Sequence, residues 1–521
     1  MIRKLPFNFI LFTIYPVIFL YAHNVDKVSF TVVAKTALLL LVLSTGIFLL
    51  IFGLCKDVYK TASLLSFSLF FFFLYGHVAV FSPSIFIETP FGVINKNYLL
   101  LPIWFLGVAS ILITVFKIPP KVLSLSYFLN VLGCLLIATN VVPIGRHFLS
   151  VSQKDFNKDV FEPSTLSKEN LRDIYYIILD GHARGDVLKD MYQYDNKKFV
   201  EELRNLGFYV ADRSRSNYTQ TYLSVASTLN MKYVNYLSEE LGEKSDNRNP
   251  LASLINDNVV ISILRQFGYK IVTFESGWSG TENLKSADSI VRSKYGFSEF
   301  QNVLLSFTPL AYVGAEDFRY DLHRWTIRNA FNQLPQIALI SDPTFTYAHI
   351  LSPHPPFVFD KDGTDIKQKA PFSLNDPTWK YLYDRSSSDY KAFYVGQVEF
   401  IDNAIINTLE RIIENSSKSP IIILQADHGP ASIYISENPS IEGVKERTAI
   451  LNAYYFPEID ENNLYSTISP VNTFRLLFSK YFRKDVSLIE DEVFVSPFER
   501  PYDFVNVTNE LDFFEAKNND G

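Results

Sequence analysis

Asp427-His428-Gly429 follows the apolar run Ile421–Gln425. An aspartate beside a histidine offers one oxygen and one nitrogen ligand, a mixture that zinc or manganese accepts. Asp180-Gly181-His182 follows the run Ile174–Leu179 in the same way. A carboxylate at the end of a buried strand needs a partner or a metal, although Asp before Gly also makes turns. The stretch Ser216–Ser227 (SNYTQTYLSVAS) reads as a loop entering a helix. Thr221 is there either a helix cap or a nucleophile, because helix N-terminal N–H groups and the helix dipole favour a developing anion. Thr219 is its rival; Ser224 and Ser227, repeating at helical spacing behind Thr221, favour Thr221. Of the 8 histidines in the chain, His349 and His354 share one proline-rich segment, HILSPHPPF. They read either as structural histidines or, one or both of them, as groups that contact an anionic substrate or act as a general acid. Arg447, in Lys445-Glu446-Arg447, is a candidate phosphate clamp or a surface charge, and Trp278 a pocket wall or a core residue.

These residues need a frame that brings them together. From about Leu171 onward, short β-branched runs alternate with helical patterns, which predicts an α/β domain with a mainly parallel sheet flanked by helices. The predicted strands are Ile174–Leu179, Lys270–Phe274, Thr344–Ile350 and Ile421–Gln425, and the predicted helices include Asp195–Leu206, Leu223–Tyr236 and Asp389–Asn415. Ligands of such sheets collect at the carboxyl ends of the strands, and three of the four segments above follow predicted strands. The tail after Phe514 is expected to fray.

The first part of the chain is of another kind. Residues 1–145 hold nine Lys or Arg and three Asp or Glu, a net of +6, whereas the remainder is at −13, giving −7 overall. Apolar stretches at roughly 6–22, 29–54, 61–82, 98–116 and 122–143 each approach the about 20 residues that cross a bilayer. The expected division is therefore a five-helix transmembrane domain over 1–145, a linker over 146–170 and an exported catalytic domain over 171–521. Arg3, Lys4, Lys56, Lys60, Lys117 and Lys121 fall on one side, and Lys27 and Lys96 on the other. The positive-inside rule makes the N-terminus cytoplasmic and the C-terminal domain external. Apolar content of 48% excludes a disordered chain, and the acidic polar half argues against a nucleic-acid partner. The two cysteines, Cys55 and Cys134, lie in the apolar part, so the polar domain has neither a disulfide nor a cysteine metal site.

Taken together, these motifs resemble the alkaline phosphatase/sulfatase superfamily, in particular its membrane-anchored branch of lipoteichoic acid synthases and phosphoethanolamine transferases. Asp180, Thr221 with Ser224, and Asp427-His428 stand where that branch has its metal ligands and nucleophile. His349-x4-His354-Pro-Pro-Phe is similar to its histidine loop, and Tyr295–Phe300 to a Gly-Phe-Asp-x-Phe segment. The resemblance implies one divalent metal, zinc or manganese, on Asp180, Thr221, Asp427 and His428. It implies His354 as a catalytic group, and His349 and Arg447 on the substrate. It further implies transfer of a phosphoethanolamine- or phosphoglycerol-type group from a membrane lipid donor to an envelope glycan or lipid acceptor at a bacterial inner membrane. Ester hydrolysis and a non-catalytic binding module are the alternatives. Pro430 stands where the family has a glutamate, no histidine follows His428, and no Cys-x-Pro-x-Arg sulfatase motif is present. These departures speak against a second metal site and against sulfatase chemistry.

Overall fold

The structure is a computed structural model. It describes residues 6–25, 28, 30–81, 86–89, 92–95, 97–117, 122–151, 171–282, 284, 287–292, 299–312, 315–368, 372–374, 387–460 and 463–519. Arg3, Lys4, Lys27, Lys96, Lys121, most of the expected linker (152–170) and Tyr295–Ser298 of the Gly-Phe segment lie outside the described residues. The chain divides into two compact units, Met1–Asp159 with Phe297–Arg319, and Val160–Gly296 with Tyr320–Gly521.

The first unit holds five apolar helices: α1 (Asn8–Ala22), α2 (Phe30–Cys55), α3 (Val58–Phe81), α4 (Asn97–Lys117) and α5 (Val122–Val151). Four of them, α2 to α5, are long and apolar enough to cross a membrane. The five expected apolar helices are present, and α1 is the shorter one at 15 residues, so the structure has four to five spans by length. A helix α5 ending at Val151 also runs into the expected linker. Leu38, Leu39, Val42, Leu43, Leu49, Leu50 and Leu54 of α2 are exposed, as side chains facing lipid must be. A β-hairpin, β1 (Phe86–Thr89) with β2 (Gly92–Asn95), joins α3 to α4.

The segment 299–312 belongs to this first unit, which the sequence division at residue 145 did not anticipate. Phe300 and Leu304 are buried with Val17, Leu20, Tyr21 and Val33. Gln301 Nε2 donates to Thr36 Oγ1 (3.0 Å), and Gly76 N donates to Phe307 O (2.8 Å). A Cβ on Gly76 would lie 2.1 Å from Ser306 O, so only glycine admits this approach.

The second unit is built on a seven-stranded sheet in the order β4-β9-β8-β3-β7-β5-β6. In chain order its strands are β3 (Ile174–Leu179), β4 (Tyr209–Val210), β5 (Lys270–Phe274), β6 (Ser289–Val291), β7 (Thr344–Ile350), β8 (Ile421–Gln425) and β9 (Asn452–Tyr455). The pairs β3·β7, β3·β8, β5·β7 and β5·β6 are parallel, and β9 runs against its neighbours. The four predicted strands have the observed bounds. Alternate residues of β3 enter different cores, Ile174, Tyr176 and Ile178 on one face and Tyr175, Ile177 and Leu179 on the other. Burial on both faces is why the strand reads as an unbroken apolar run. Each fully buried aliphatic contributes roughly 2 kcal/mol.

Six helices matter for the site: α6 (Thr221–Asn230), α7 (Ser279–Glu282), α8 (Ala315–Ile337), α9 (Ser387–Asn415), α10 (Ile441–Thr448) and α11 (Thr508–Asn519). The helix expected over Leu223–Tyr236 starts at Thr221 and stops at Asn230, where Met231 turns left-handed (φ 55°) and caps it. The tail expected to fray after Phe514 is part of α11. Its Glu515 is held by Arg184 (2.9 Å) and Arg215 (2.7 Å).

Candidate active site

Strand register assembles the centre. Ile178 of β3 stands opposite His349 in β7 and opposite Gln425 in β8. Asp180, His349 and Asp427 therefore emerge at neighbouring carboxyl ends, and their ligand atoms all lie within 4.8 Å of one another. His349 Nε2 is 3.2 Å from Asp180 Oδ2, and His428 Nε2 is 3.3 Å from Asp427 Oδ2 and 3.8 Å from Asp180 Oδ1. Burial alone would raise the pKa of Asp180, but His354, His349 and His428 hold it well below the usual carboxylate range.

Two glycines permit this crowding. Gly181 turns the chain after Asp180 at φ +74°, a conformation that favours glycine, and His354 packs within 3.6 Å of the place of its Cβ. Gly429 donates to Arg447 O (2.7 Å), and a Cβ there would sit 2.1 Å from Glu446 O. His182 of the Asp-Gly-His triplet turns away from the centre and pairs with buried Asp402 of α9 (2.7 Å). Asp402 is raised by burial, against the pull of His182.

Thr221 is the first residue of α6, after the extended residue Gln220, whose side chain makes no cap bond. The Thr221 hydroxyl does not cap the helix either. Its Oγ1 lies 3.0 Å from His428 Nε2. His428 Nδ1–H donates to Gly429 O (3.0 Å), so Nε2 carries the lone pair that faces Thr221 and the carboxylates. The loop before α6 is tied down: Ser214 Oγ donates to Ile468 O, Asn217 Nδ2 to Ser469 Oγ, and Gln220 Nε2 to Ser496 Oγ. Thr219, the rival nucleophile, accepts a hydrogen bond from Tyr434 OH (3.0 Å). Ser224 and Ser227, read as supports for Thr221, are buried and donate to the carbonyls of Tyr218 and Lys232.

Arg447 is not a surface charge. It is 8% exposed, and it donates through Nε to Thr219 O (3.0 Å), through Nη1 to Gly429 O (3.0 Å) and through Nη2 to His428 Nε2 (3.1 Å). Together with Thr221, Tyr222, Trp278, His354 and Tyr434 it lines a cleft of about 790 Å³. Trp278 packs edge-on against Tyr222 at 4.8 Å between ring centres, a wall rather than core. His354 Nδ1–H donates to Pro355 O (2.6 Å), which leaves Nε2 as the basic nitrogen. The structure thus brings together Asp180, Asp427, His428 and Thr221, with His354 and Arg447 on the cleft wall. His349, expected on the substrate, is 1% exposed and faces the carboxylates instead.

Sequence reasoning missed three residues. Glu446 is fully buried and accepts from Tyr192 OH (2.5 Å) and the backbone N–H groups of Ser432 (3.1 Å), Ile433 (2.9 Å) and Tyr434 (3.2 Å), which shapes the cleft wall. His323 of α8 is buried, with its Nε2 lacking a hydrogen-bond partner. Burial first, then His354 and Arg324, push its pKa down to about 3. Thr281 Oγ1 lies 2.6 Å from His349 Nδ1. No local signal marked any of them, since each is one polar side chain in a helix of ordinary composition.

A profile of the Sulfatase family matches residues 172–472. No curated protein sequence matches the chain. Among solved structures, the zinc-complexed C-terminal periplasmic domain of EcEptC from Escherichia coli is similar at 10% identity and TM-score 0.44, over 66% of this chain and 94% of that one. The soluble domain of lipooligosaccharide phosphoethanolamine transferase A from Neisseria meningitidis is similar at 12% identity and TM-score 0.39, over 62% and 90%. The phosphonate monoester hydrolase SpPMH from Silicibacter pomeroyi is similar at 14% identity and TM-score 0.39, over 60% and 74%. With the family profile spanning more than half of its length, the chain belongs to the sulfatase family of enzymes, with an alkaline-phosphatase-like α/β domain behind apolar N-terminal helices.

Proposed function

We propose that this enzyme moves a phospho-substituent, of phosphoethanolamine or phosphoglycerol type, from a membrane lipid to an envelope glycan or lipid through a covalent intermediate on Thr221. The observation that carries this is the Thr221 hydroxyl, placed at the start of α6 and 3.0 Å from His428 Nε2.

Asp180 Oδ1, Asp427 Oδ2 and His349 Nε2 are buried without hydrogen-bond partners, which fits a cation held among them. Asp180, Asp427, His428 and Thr221 would hold one divalent ion, zinc or manganese. When bound, it would lower the pKa of the Thr221 hydroxyl and offset charge on the phosphoryl group. Thr221 Oγ1 attacks phosphorus in line as the alkoxide, its proton lost to solvent before the first turnover and the alkoxide regenerated at the end of each, and the P–O bond to the donor alcohol breaks. His354 Nε2 gives a proton to the departing alkoxide. Arg447 and the N-terminus of α6 face the phosphoryl oxygens and stabilise their charge. In the second half, His354 takes the proton of the acceptor hydroxyl as it attacks the phospho-threonine, and Thr221 is released.

The helices keep the domain beside its lipid donor, with the N-terminus cytoplasmic and the catalytic domain periplasmic or extracellular. The segment 299–312 supports that orientation. It follows the fifth helix in the chain, and its partners Leu20, Tyr21, Thr36 and Gly76 lie near the helix ends that the charge rule puts outside.

The test is a mass spectrum of the Thr221 peptide after expression in a membrane-containing host. An added mass on Thr221 names the transferred group. An unmodified Thr221 in a metal-loaded enzyme that turns over without an acceptor alcohol replaces the proposal with ester hydrolysis.

A further inference from the structure

His349 lies within β7, and both of its ring nitrogens are placed. Nδ1 is 2.6 Å from Thr281 Oγ1, while Nε2 points at Asp180 Oδ2 (3.2 Å) and has no hydrogen-bond partner. Asp180 Oδ1 and Asp427 Oδ2 share that condition. An imidazole tethered at one nitrogen and bare at the other, aimed at two bare carboxylate oxygens, is an arrangement that a cation completes. Thr281 is itself fixed. It is 1% exposed, its N–H donates to Trp278 O (3.2 Å), and the turn is closed so tightly that a Cβ on Gly280 would meet the Trp278 ring at 2.7 Å.

We propose that Thr281 is a positioning residue that makes His349 a metal ligand. Its hydroxyl oxygen accepts the Nδ1–H of His349, which fixes the tautomer and directs the Nε2 lone pair to the ion shared with Asp180 and Asp427. The metal site thereby gains a ligand from β7, and the turn that carries the cleft wall Trp278 also orients that ligand. This rests on the metal-dependent reading above.

The experiment is zinc affinity of the full-length protein in detergent, measured by competition with a chromophoric chelator. Thr281→Val keeps the shape and removes the acceptor, and is expected to weaken zinc binding about 10- to 100-fold. Thr281→Ser keeps the hydroxyl and should stay within about threefold of wild type, since the tether is retained. Thr281→Ala reads the same quantity if the valine variant does not fold. Wild-type affinity in the valine or alanine variant overturns the proposal, as does a serine variant as weak as valine, which would assign the effect to packing. A wild-type protein that binds no zinc or manganese overturns the metal-dependent reading itself.

Discussion

Gly429→Ala is a one-carbon perturbation whose effect follows from distances. The added Cβ would stand 2.1 Å from Glu446 O, and Cβ contacts below 3.0 Å are essentially unknown, so the two segments must part by about 0.9 Å. Neither side gives easily. Glu446 is anchored by Tyr192 and three backbone N–H groups, and Arg447 by the carbonyls of Thr219 and Gly429. The displacement therefore reaches the contact between His428 and Arg447 (3.1 Å) and that between His428 and Thr221 (3.0 Å). A misplacement near 1 Å in a catalytic constellation lowers the rate on the order of 100-fold. The assay is release of the donor's alcohol from lipid in mixed micelles, with circular dichroism to confirm the fold. Gly396→Ala, in the interior of α9, is the control. Its Cβ meets nothing nearer than 3.5 Å, so full activity is expected, with stability unchanged or raised by about 0.5–1 kcal/mol. A Gly429→Ala enzyme within threefold of wild type would refute the reasoning.

Thr221→Ala is expected to abolish turnover while zinc remains bound; full activity would exclude Thr221 as nucleophile. Treatment with a strong chelator should stop turnover and added zinc or manganese should restore it, whereas unchanged turnover with metal removed, checked by elemental analysis, would sink the metal-dependent scheme. His323 is held at about 3 against the ordinary 6.5, so the unfolded chain takes up its proton first and stability falls as pH drops from 6.5 towards 3, by at most about 1.4 kcal/mol per pH unit. Thermal melting at pH 7 and pH 5 should show a smaller loss in His323→Gln than in wild type; equal losses would contradict this. Burial works to raise Glu515, but Arg184 and Arg215 hold it below its usual 4.5, so its stabilisation is complete above that value and is lost as pH falls further. Glu515→Gln should make release of α11 by an acid-active protease less dependent on pH below 4.5, and an unaltered dependence would place the acid sensitivity elsewhere.

The central strands were legible because burial on both faces writes them as continuous apolar runs. The two edge strands, and β9 next to one of them, were not. Tyr209–Val210 and Ser289–Val291 are too short to show a period, and Asn452–Tyr455 carries polar and aromatic side chains. Asp180, Asp427 and His428 were legible because polar residues that end apolar runs announce a strand's carboxyl terminus. Glu446 was not, since a Lys-Glu-Arg triplet in a short helix has the composition of a solvated face, and the same composition left Arg447 readable as either a phosphate clamp or a surface charge. What buries them is the approach of the Gly429 loop, a tertiary event. The excursion of residues 299–312 escaped for a related reason. Its apolar residues would suit any amphipathic helix, and nothing local says that its partners lie near Val17 and Thr36.

That excursion imposes an order on biogenesis. Helices α1 to α3 leave the ribosome long before Gln301 and Phe307 exist, so the Thr36 oxygen must wait for the donor Gln301, and the N–H of Gly76 for its acceptor Phe307 O. The bundle reaches its final packing only after the chain through residue 312 has been made, which makes synthesis of part of the catalytic half a condition for completing the helical unit. The same feature governs how the catalytic domain should be produced alone. A fragment beginning at residue 171 carries Phe300 and Leu304 without their cover and invites aggregation, whereas replacing residues 297–319 by a short Gly/Ser linker removes that surface.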